Sequence, residues 1–306
     1  MSDSPLEYEL AARLAAFEWL DRQRARGVEY WTQADLSEFS FQGRRLPLMD
    51  RQRGIRKPAE FEAALAIRTV YRSEGAERPY EDGLGADGLL RYKWRGTDAE
   101  HPENRALRAA LMRQLPLVWF EGFAPSLYTA IAPVYLVAEE PAHHQFVVAL
   151  GEEQLGLGVG IELDPRRKRY VESMTKRRLH QPVFRAGVMR AYETRCAICA
   201  FRHGNLLDAA HITPDADLDG APVTSNGLAL CRIHHGAYDA NIMGIRPDLV
   251  IEVREDILDE IDGPMLKHGI QELHGEKLMV VPKARSERPD VVRLERRYDE
   301  FRSVGV

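Results

Sequence analysis

Apolar residues recur along this chain with two different periods, and the switches between them mark out its elements. Over residues 5–27 they return every three to four positions, placing Leu6, Leu10, Leu14 and Phe17 on one face of the helix this spacing predicts. The middle region instead holds short apolar runs between Gly- and Pro-rich turns. LLRYKW (89–94), PLVWF (116–120), PVYLVAE (133–139) and HQFVVAL (144–150) read as strands, with NRALRAALMRQ (104–114) as a helix among them. A curled, mostly antiparallel sheet with one or two helices is the expected result, ending near residue 155. Residues 156–180 read as a charged connector, and a helix over Pro182–Tyr192 leads out of it. LLDAAHI (206–212) is a short apolar strand, followed by a loop rich in Asp, Pro and Gly where a second strand returns, and SNGLALC (225–231) runs into another helix. The tail predicts a helix near 264–274, a strand LMVVP (278–282) and a last helix from 289. The fold class expected is α+β, with domains over 1–155 and 181–306 joined by a basic connector.

Composition narrows the class. At 306 residues and 44% hydrophobic content, the chain is long enough for two globular domains. No run of 18 apolar residues suggests a membrane helix, and the acidic start MSDSPLEYEL lacks the basic region of a secretory signal, so a cytoplasmic protein is expected. Three cysteines make no disulfide framework, and two of them form Cys196-x-x-Cys199, which in a reducing compartment reads as a metal knuckle or a redox pair. The net charge of −5 argues against a uniformly basic surface, yet local basic segments exist. Gly43–Lys57 holds six basic residues against one acidic, among them Arg53, Arg56 and Lys57. Arg166–Arg202 holds eleven, among them Arg166, Arg167, Lys168, Arg169, Arg177 and Arg178, against Glu172 and Glu193. Each run reads either as a solvated surface or as a phosphate-contacting segment, and the second lies directly upstream of the metal motifs.

Those motifs fill residues 196–242. Cys196-x-x-Cys199 and Cys231-x-x-His234 offer two pairs of soft ligands, the usual way to close a tetrahedral zinc site. With all four positions taken by protein, that zinc is structural. A second donor set comes from His211 at the end of the first strand, Asn226, and His235 and Asp239 on the following helix. His235 and Asp239 stand four residues apart and so share a face, where they can chelate one Mg²⁺ or Mn²⁺. Phosphodiester hydrolysis needs an activated water and a cation on the phosphate oxygens. His211 has the chemistry of the general base. Asn226 either holds the His211 tautomer or pins the loop through its amide.

The run AAHI…NGLALC…HH…YD resembles the HNH (ββα-metal) endonuclease family in its zinc-stapled, restriction-type form. The resemblance implies that His211 is the catalytic histidine, Asn226 the central asparagine, His235 the closing metal-binding histidine and Asp239 a further ligand. His234 falls on the zinc position. Many members place Asp or His immediately before the catalytic histidine as a metal ligand; this chain has Ala210 there, and Asp208 is the acidic residue available to substitute.

A small metal motif of this kind contacts mainly the DNA backbone, so specificity falls to the N-terminal region. Tyr80, Tyr92, Trp94 and Trp119 are either core aromatics or platforms for an extruded base, with Arg53, Arg56 and Lys57 beside them for phosphates. The layout is similar to modification-dependent restriction enzymes, whose readers are SRA/PUA-like curled sheets. The function expected is cleavage of double-stranded DNA carrying a modified base, and cutting both strands with one site per chain favours a homodimer. The competing reading is a non-catalytic nucleic-acid or nucleotide binding module on a zinc scaffold, which Ala210 favours and the set His211, Asn226, His235 and Asp239 disfavours. An RNA-directed nuclease is a third.

Overall fold

The structure, a computed structural model, describes residues 5–71, 85, 87–155, 165–214 and 220–304, with backbone alone at 153, 165–170, 172 and 176. It divides into two compact units, Met1–Val183 and Phe184–Val306. Tyr80 lies outside the described residues, as do the side chains of Arg166, Arg167, Lys168 and Arg169.

The first unit opens with α1 (Pro5–Ala25), α2 (Gln33–Leu36) and the short hairpin β1 (Ser40–Phe41) and β2 (Arg44–Arg45). Its sheet is built from β3 (Ile55–Arg56), β4 (Ala66–Thr69), β5 (Leu90–Lys93), β6 (Leu117–Ala124), β7 (Leu127–Glu140) and β8 (Gln145–Ala149), with α3 (Pro102–Met112) between β5 and β6. The six strands run in the order β3-β4-β6-β7-β8-β5, antiparallel throughout except for the parallel pair β4–β6. This is the curled, mostly antiparallel sheet that the strand pattern predicts. The curl is made by β7, whose first half pairs with β6 and whose second half pairs with β8, with register shifts that bend it. Alternate residues of β6 feed two cores. Leu117 and Trp119 join Tyr92, Trp94, Phe146 and the α3 residues Ala106, Leu107 and Ala110. Val118 and Phe120 join Phe61 and the α1 residues Ala12, Ala16 and Leu20. Helices cover both faces, which is why the β6 run PLVWF contains no polar position.

Helix α1 forms where its period predicts but buries a different face. Leu6, Leu10 and Leu14 are 45%, 40% and 50% exposed, while Glu9, Ala12, Arg13, Ala16 and Leu20 face inward. The buried face is rotated by about one residue, roughly 100°. Two interactions select it: the small Ala12 and Ala16 allow close approach, and Glu9 and Arg13 tie down the 62–64 backbone. Arg13 Nη2 donates to Ala64 O at 2.7 Å, and the Glu9 carboxylate accepts from the Glu62 and Ala63 amides. Trp94 is a core residue too, 3% exposed and packed against His144 and Phe146, so it offers no open ring for a base. Phe146 and the α3 residues of the same core bury it, with Arg108 over the ring.

Helix α4 (Pro165–Ala191) starts well before the helix expected at Pro182 and occupies most of the presumed connector. Its early residues are charged but carry good helix formers (Arg, Lys, Glu, Met, Leu) and no breaker before Pro182. The second unit takes α4 from Phe184 onward, then the hairpin β9 (Leu207–His211) and β10 (Gly227–Cys231) and the helix α5 (Arg232–Asp239). A second hairpin, β11 (Met243–Ile245) and β12 (Ile251–Val253), precedes α6 (Glu255–Leu258), α7 (Pro264–Gly269) and α8 (Val291–Val304). Gly244 lets α8 close on β11, since a Cβ there would lie 2.6 Å from the Phe301 ring. The segment LMVVP is no strand and bends at Met279. Its amides bond two separate partners, Leu278 to Leu249 O and Val280 to Ala197 O, so no ladder forms. The helix expected over 264–274 ends at Gly269, with a 3₁₀ turn over Gln271–Leu273. Among the described residues, no helix is long and apolar enough to cross a membrane.

Candidate functional site

Two donor clusters stand on different faces of α5, one through His234 and the other through His235. In the first, the turn after α4 presents Cys196 and Cys199, the end of β10 presents Cys231, and the first turn of α5 presents His234. The turn is held in place by Ala197 N donating to Ala229 O on β10 and by Ala200 N donating to Cys196 O. The four ligand atoms lie within 4.8 Å of one another. His234 Nδ1 is 3.4 Å from Cys196 Sγ and 3.3 Å from Cys231 Sγ. Its Nε2 lies 2.8 Å from Gly269 O, and because a carbonyl only accepts, Nε2 carries a proton, which leaves Nδ1 as the nitrogen that faces the cysteine sulfurs.

Protons are shared unevenly in this crowd. Burial pulls His234 down, but bonds to Cys196 and Cys231 outweigh it and hold the imidazole up, to about 10. Bonds from Cys196 and Cys199 push the Cys231 thiol far down, and those to Cys196 and Cys231 push Cys199 far up. Such competition among soft donors aimed at one point is what a dication relieves, and the Cys₃His group fits zinc binding.

The second cluster lies at the hairpin and the His235 face of α5. Antiparallel pairing sets Asp208 opposite Leu230 and His211 opposite Gly227. His235 Nδ1 is 3.4 Å from Asp208 Oδ2, and its Nε2 is 3.3 Å from Asp239 Oδ2. Side chains here are open to solvent, His235 at 28%, Asp208 at 36% and Asp239 at 63%. A neutral imidazole has one N–H and cannot donate to two carboxylates at once. The donor set therefore suits either an imidazolium or a cation between nitrogen and carboxylate; imidazole with carboxylates is the ligand chemistry of Mg²⁺, Mn²⁺ and similar ions. Ala210 is fully buried in the core, and the acidic group that reaches His235 comes from Asp208.

Asn226 is buried, and its amide is spent on the loop between the strands. Its Oδ1 accepts from Thr213 N at 2.8 Å, and its Nδ2 donates to Thr213 O and Ala221 O at 3.0 and 3.1 Å. Two residues that sequence reasoning passed over complete the site. Phe184 on α4 stacks on His211, with ring centroids 3.9 Å apart and planes 15° apart. Arg185 donates to Leu207 O at 2.7 Å and Gly204 O at 3.2 Å and lies 3.5 Å from Asp208 Oδ1. Arg185 was visible only as one cation in a basic run, and no spacing rule singles out Phe184.

The expected DNA contacts are scattered. Arg53 is exposed and pairs with Glu103, whereas Arg56 Nε donates to Pro47 O and Lys57 Nζ to Phe61 O and Pro58 O. Burial lowers the Arg56 pKa. Arg177 is exposed, and Arg178 donates to Leu150 O. Tyr92 and Trp119 are core neighbours in edge-to-face contact.

Residues 196–246 match the model of the HNH endonuclease family, a span that contains every cysteine, His211, Asn226, His234, His235 and Asp239. The second unit thus carries an HNH endonuclease domain, and the enzyme class is nuclease. The whole chain is similar, at 17% identity over 90% of its length and 92% of the other, to a solved structure described as the modification dependent TagI restriction endonuclease, with a TM-score of 0.31. A second, described as the type IV phosphorothioation-dependent restriction endonuclease ScoMcrA, is 13% identical over 61% of this chain and 48% of that one, with a TM-score of 0.23. No curated protein matches the chain.

Proposed function

We propose that this protein is a metal-dependent DNA endonuclease of the modification-dependent restriction type, acting in the cytoplasm. The observation that carries the reading is the His235 imidazole held between the Asp208 and Asp239 carboxylates, beside a hairpin whose first strand ends in His211. His235 and Asp239, with Asp208, would hold a Mg²⁺ or Mn²⁺ ion, which when bound supplies positive charge to the scissile phosphate. His211 takes the proton from the attacking water, acting as general base near neutral pH. Asn226 fixes both ends of the loop that follows His211 and so keeps the base at its station. The Cys196, Cys199, Cys231 and His234 zinc staples the start of the motif to its helix and does no chemistry.

In this reading residues 1–155 form an SRA/PUA-like reader of a modified base, residues 156–180 the basic connector and 181–306 the nuclease. The curled sheet is the architecture suited to that reader, and the exposed Arg53, which pairs with Glu103, and the exposed Arg177 are cations that phosphates can reach. Double-strand cutting with one site per chain favours a homodimer on DNA, measurable by sedimentation with a cognate duplex.

The test is cleavage of plasmids that are unmodified or carry 5-methylcytosine, 5-hydroxymethylcytosine or phosphorothioate, with Mg²⁺ or Mn²⁺. His211→Ala is expected to slow cleavage by about 10²- to 10⁴-fold with zinc retained. Normal turnover by a folded, zinc-loaded His211→Ala protein rules out the mechanism, and equal cleavage of all four substrates at moderate salt rules out the reader. RNA cleaved in preference to DNA would reassign the substrate.

A further inference from the structure

The HNH motif ends where its ligands and its histidine have been named, yet the structure brings a residue from outside it against the proposed general base. Phe184 belongs to α4, twelve positions before Cys196, and lies outside the matched span. Its ring lies face to face with the His211 imidazole, centroids 3.9 Å apart and planes 15° apart. Face-to-face stacking of two rings inside a protein is commonly offset and tilted, so near-parallel contact at this distance is a specific placement. Phe184 itself is anchored, being 4% exposed among Val188, Met189 and Leu228.

The opposite strand has been cleared to permit this. Gly227 is the cross-strand partner of His211, and a Cβ there would come within 2.3 Å of Val188 Cγ2 and 2.9 Å of Phe184 Cζ. Its φ of −127° is open to any residue, so the glycine is not there for its backbone. A side chain there would run into Val188 first and into the Phe184 ring as well. Glycine after Asn226 therefore leaves room for the two α4 side chains, one of which backs the histidine.

We propose that Phe184 is a positioning residue for His211, with Gly227 as the opening that admits it; the proposal rests on the reading of His211 as general base. The torsion that turns a histidine ring about its Cβ–Cγ bond is broad and weakly restrained. Against a flat neighbour at 3.9 Å, turning the imidazole drives its edge into the Phe184 ring. The stack therefore holds the imidazole in one plane and resists its tilting away from the strand edge. It also covers one face of the imidazole with hydrocarbon. Supporting groups of this kind typically change activity by about 10- to 100-fold when removed.

The experiment compares Phe184→Leu, which keeps apolar bulk but loses the flat face, with Ile251→Val, which thins the same core on β12 and leaves the ring in place. The zinc-loaded full chain is used with histidine ring protons followed by NMR, His211 being assigned by its absence in His211→Ala. Single-turnover cleavage and DNA affinity are measured in parallel. Phe184→Leu is expected to cleave roughly 10- to 100-fold more slowly with DNA affinity and zinc content unchanged and melting lowered no more than in Ile251→Val. Its His211 ring protons should move downfield as the ring current of Phe184 is lost. Ile251→Val should keep wild-type cleavage and an unmoved His211 resonance. Full cleavage by Phe184→Leu, equal slowing by both variants, slowing that tracks zinc loss or melting, or an unmoved His211 resonance in Phe184→Leu would each overturn the proposal. If His211→Ala itself cleaves normally, the general-base reading falls instead, a result separable from an inactive His211→Ala beside a fully active Phe184→Leu.

Discussion

His234 and His235 are consecutive, yet they serve two centres that differ in almost every physical respect. His234 joins three cysteines in a buried set whose ligand atoms lie within 4.8 Å of one another, its far nitrogen tied to Gly269 O. His235 faces two carboxylates at 3.3 and 3.4 Å in a setting open to water. Neighbours on a helix point about 100° apart, which is enough to send one ring into the core and the other to the surface. The lesson is that closure separates a staple from a workplace. A metal site whose every position is filled by buried protein ligands can only hold the fold, whereas chemistry needs donors that leave positions for water and phosphate.

Breaking the closed centre should have the largest effect. Cys231→Ser, or removal of zinc by a strong chelator, is expected to abolish cooperative melting of the second unit. Structural zinc contributes about 10–16 kcal/mol in apparent binding energy, which is folding energy for a motif of this size. Calorimetry with metal analysis reads it directly; a zinc-free protein with an unchanged melting transition would contradict the staple. Next comes Asn226→Ala, which strands Thr213 N, Thr213 O and Ala221 O beside a buried void. A loss of about 2–4 kcal/mol is expected from urea unfolding, since each unmade buried bond costs about 1–3 kcal/mol and the loop relaxes in part. A loss below about 1 kcal/mol would show that the loop does not need its pin.

On the open side, Asp239→Asn should weaken Mn²⁺ binding by about 10- to 100-fold, read by titration calorimetry on zinc-loaded protein, while melting stays within about 0.5 kcal/mol. Melting that falls with metal affinity would mean the open centre is also structural. The mildest change is Arg185→Lys. Lysine cannot reproduce the fork that reaches Leu207 O, Gly204 O and Asp208 together, so Mn²⁺ affinity should fall about tenfold with the fold intact. No change would leave Arg185 as a prop for β9 alone.

Much of this was legible in the chain because the signals are local. Cys-x-x-Cys and Cys-x-x-His declare a Cys₃His group that fits zinc by spacing, and the four-residue step from His235 to Asp239 declares a shared face. The strands of the sheet announced themselves through compact apolar runs, and α3 through its period. Local signals also misled. The Leu6–Leu10–Leu14 stripe of α1 has the spacing of a buried face, yet Ala12 and Ala16 with the Glu9–Arg13 pair won the interior. LMVVP has strand composition, but its amides found two partners instead of one. Trp94 fits either a core aromatic or a platform for a base, and the sheet and α3 decide for the core by enclosing it.

By itself, then, the sequence determined the ligand types, their spacing and the helix or strand that bears each. Backbone periodicity and side-chain chemistry are properties of a few neighbouring residues and need no knowledge of the rest. Tertiary structure alone decided that Asp208 rather than position 210 reaches His235, that Asn226 clamps the loop, and that Phe184 and Arg185 arrive from α4. Those contacts join residues far apart in the chain, and only the burial of a common core brings them within a few ångströms.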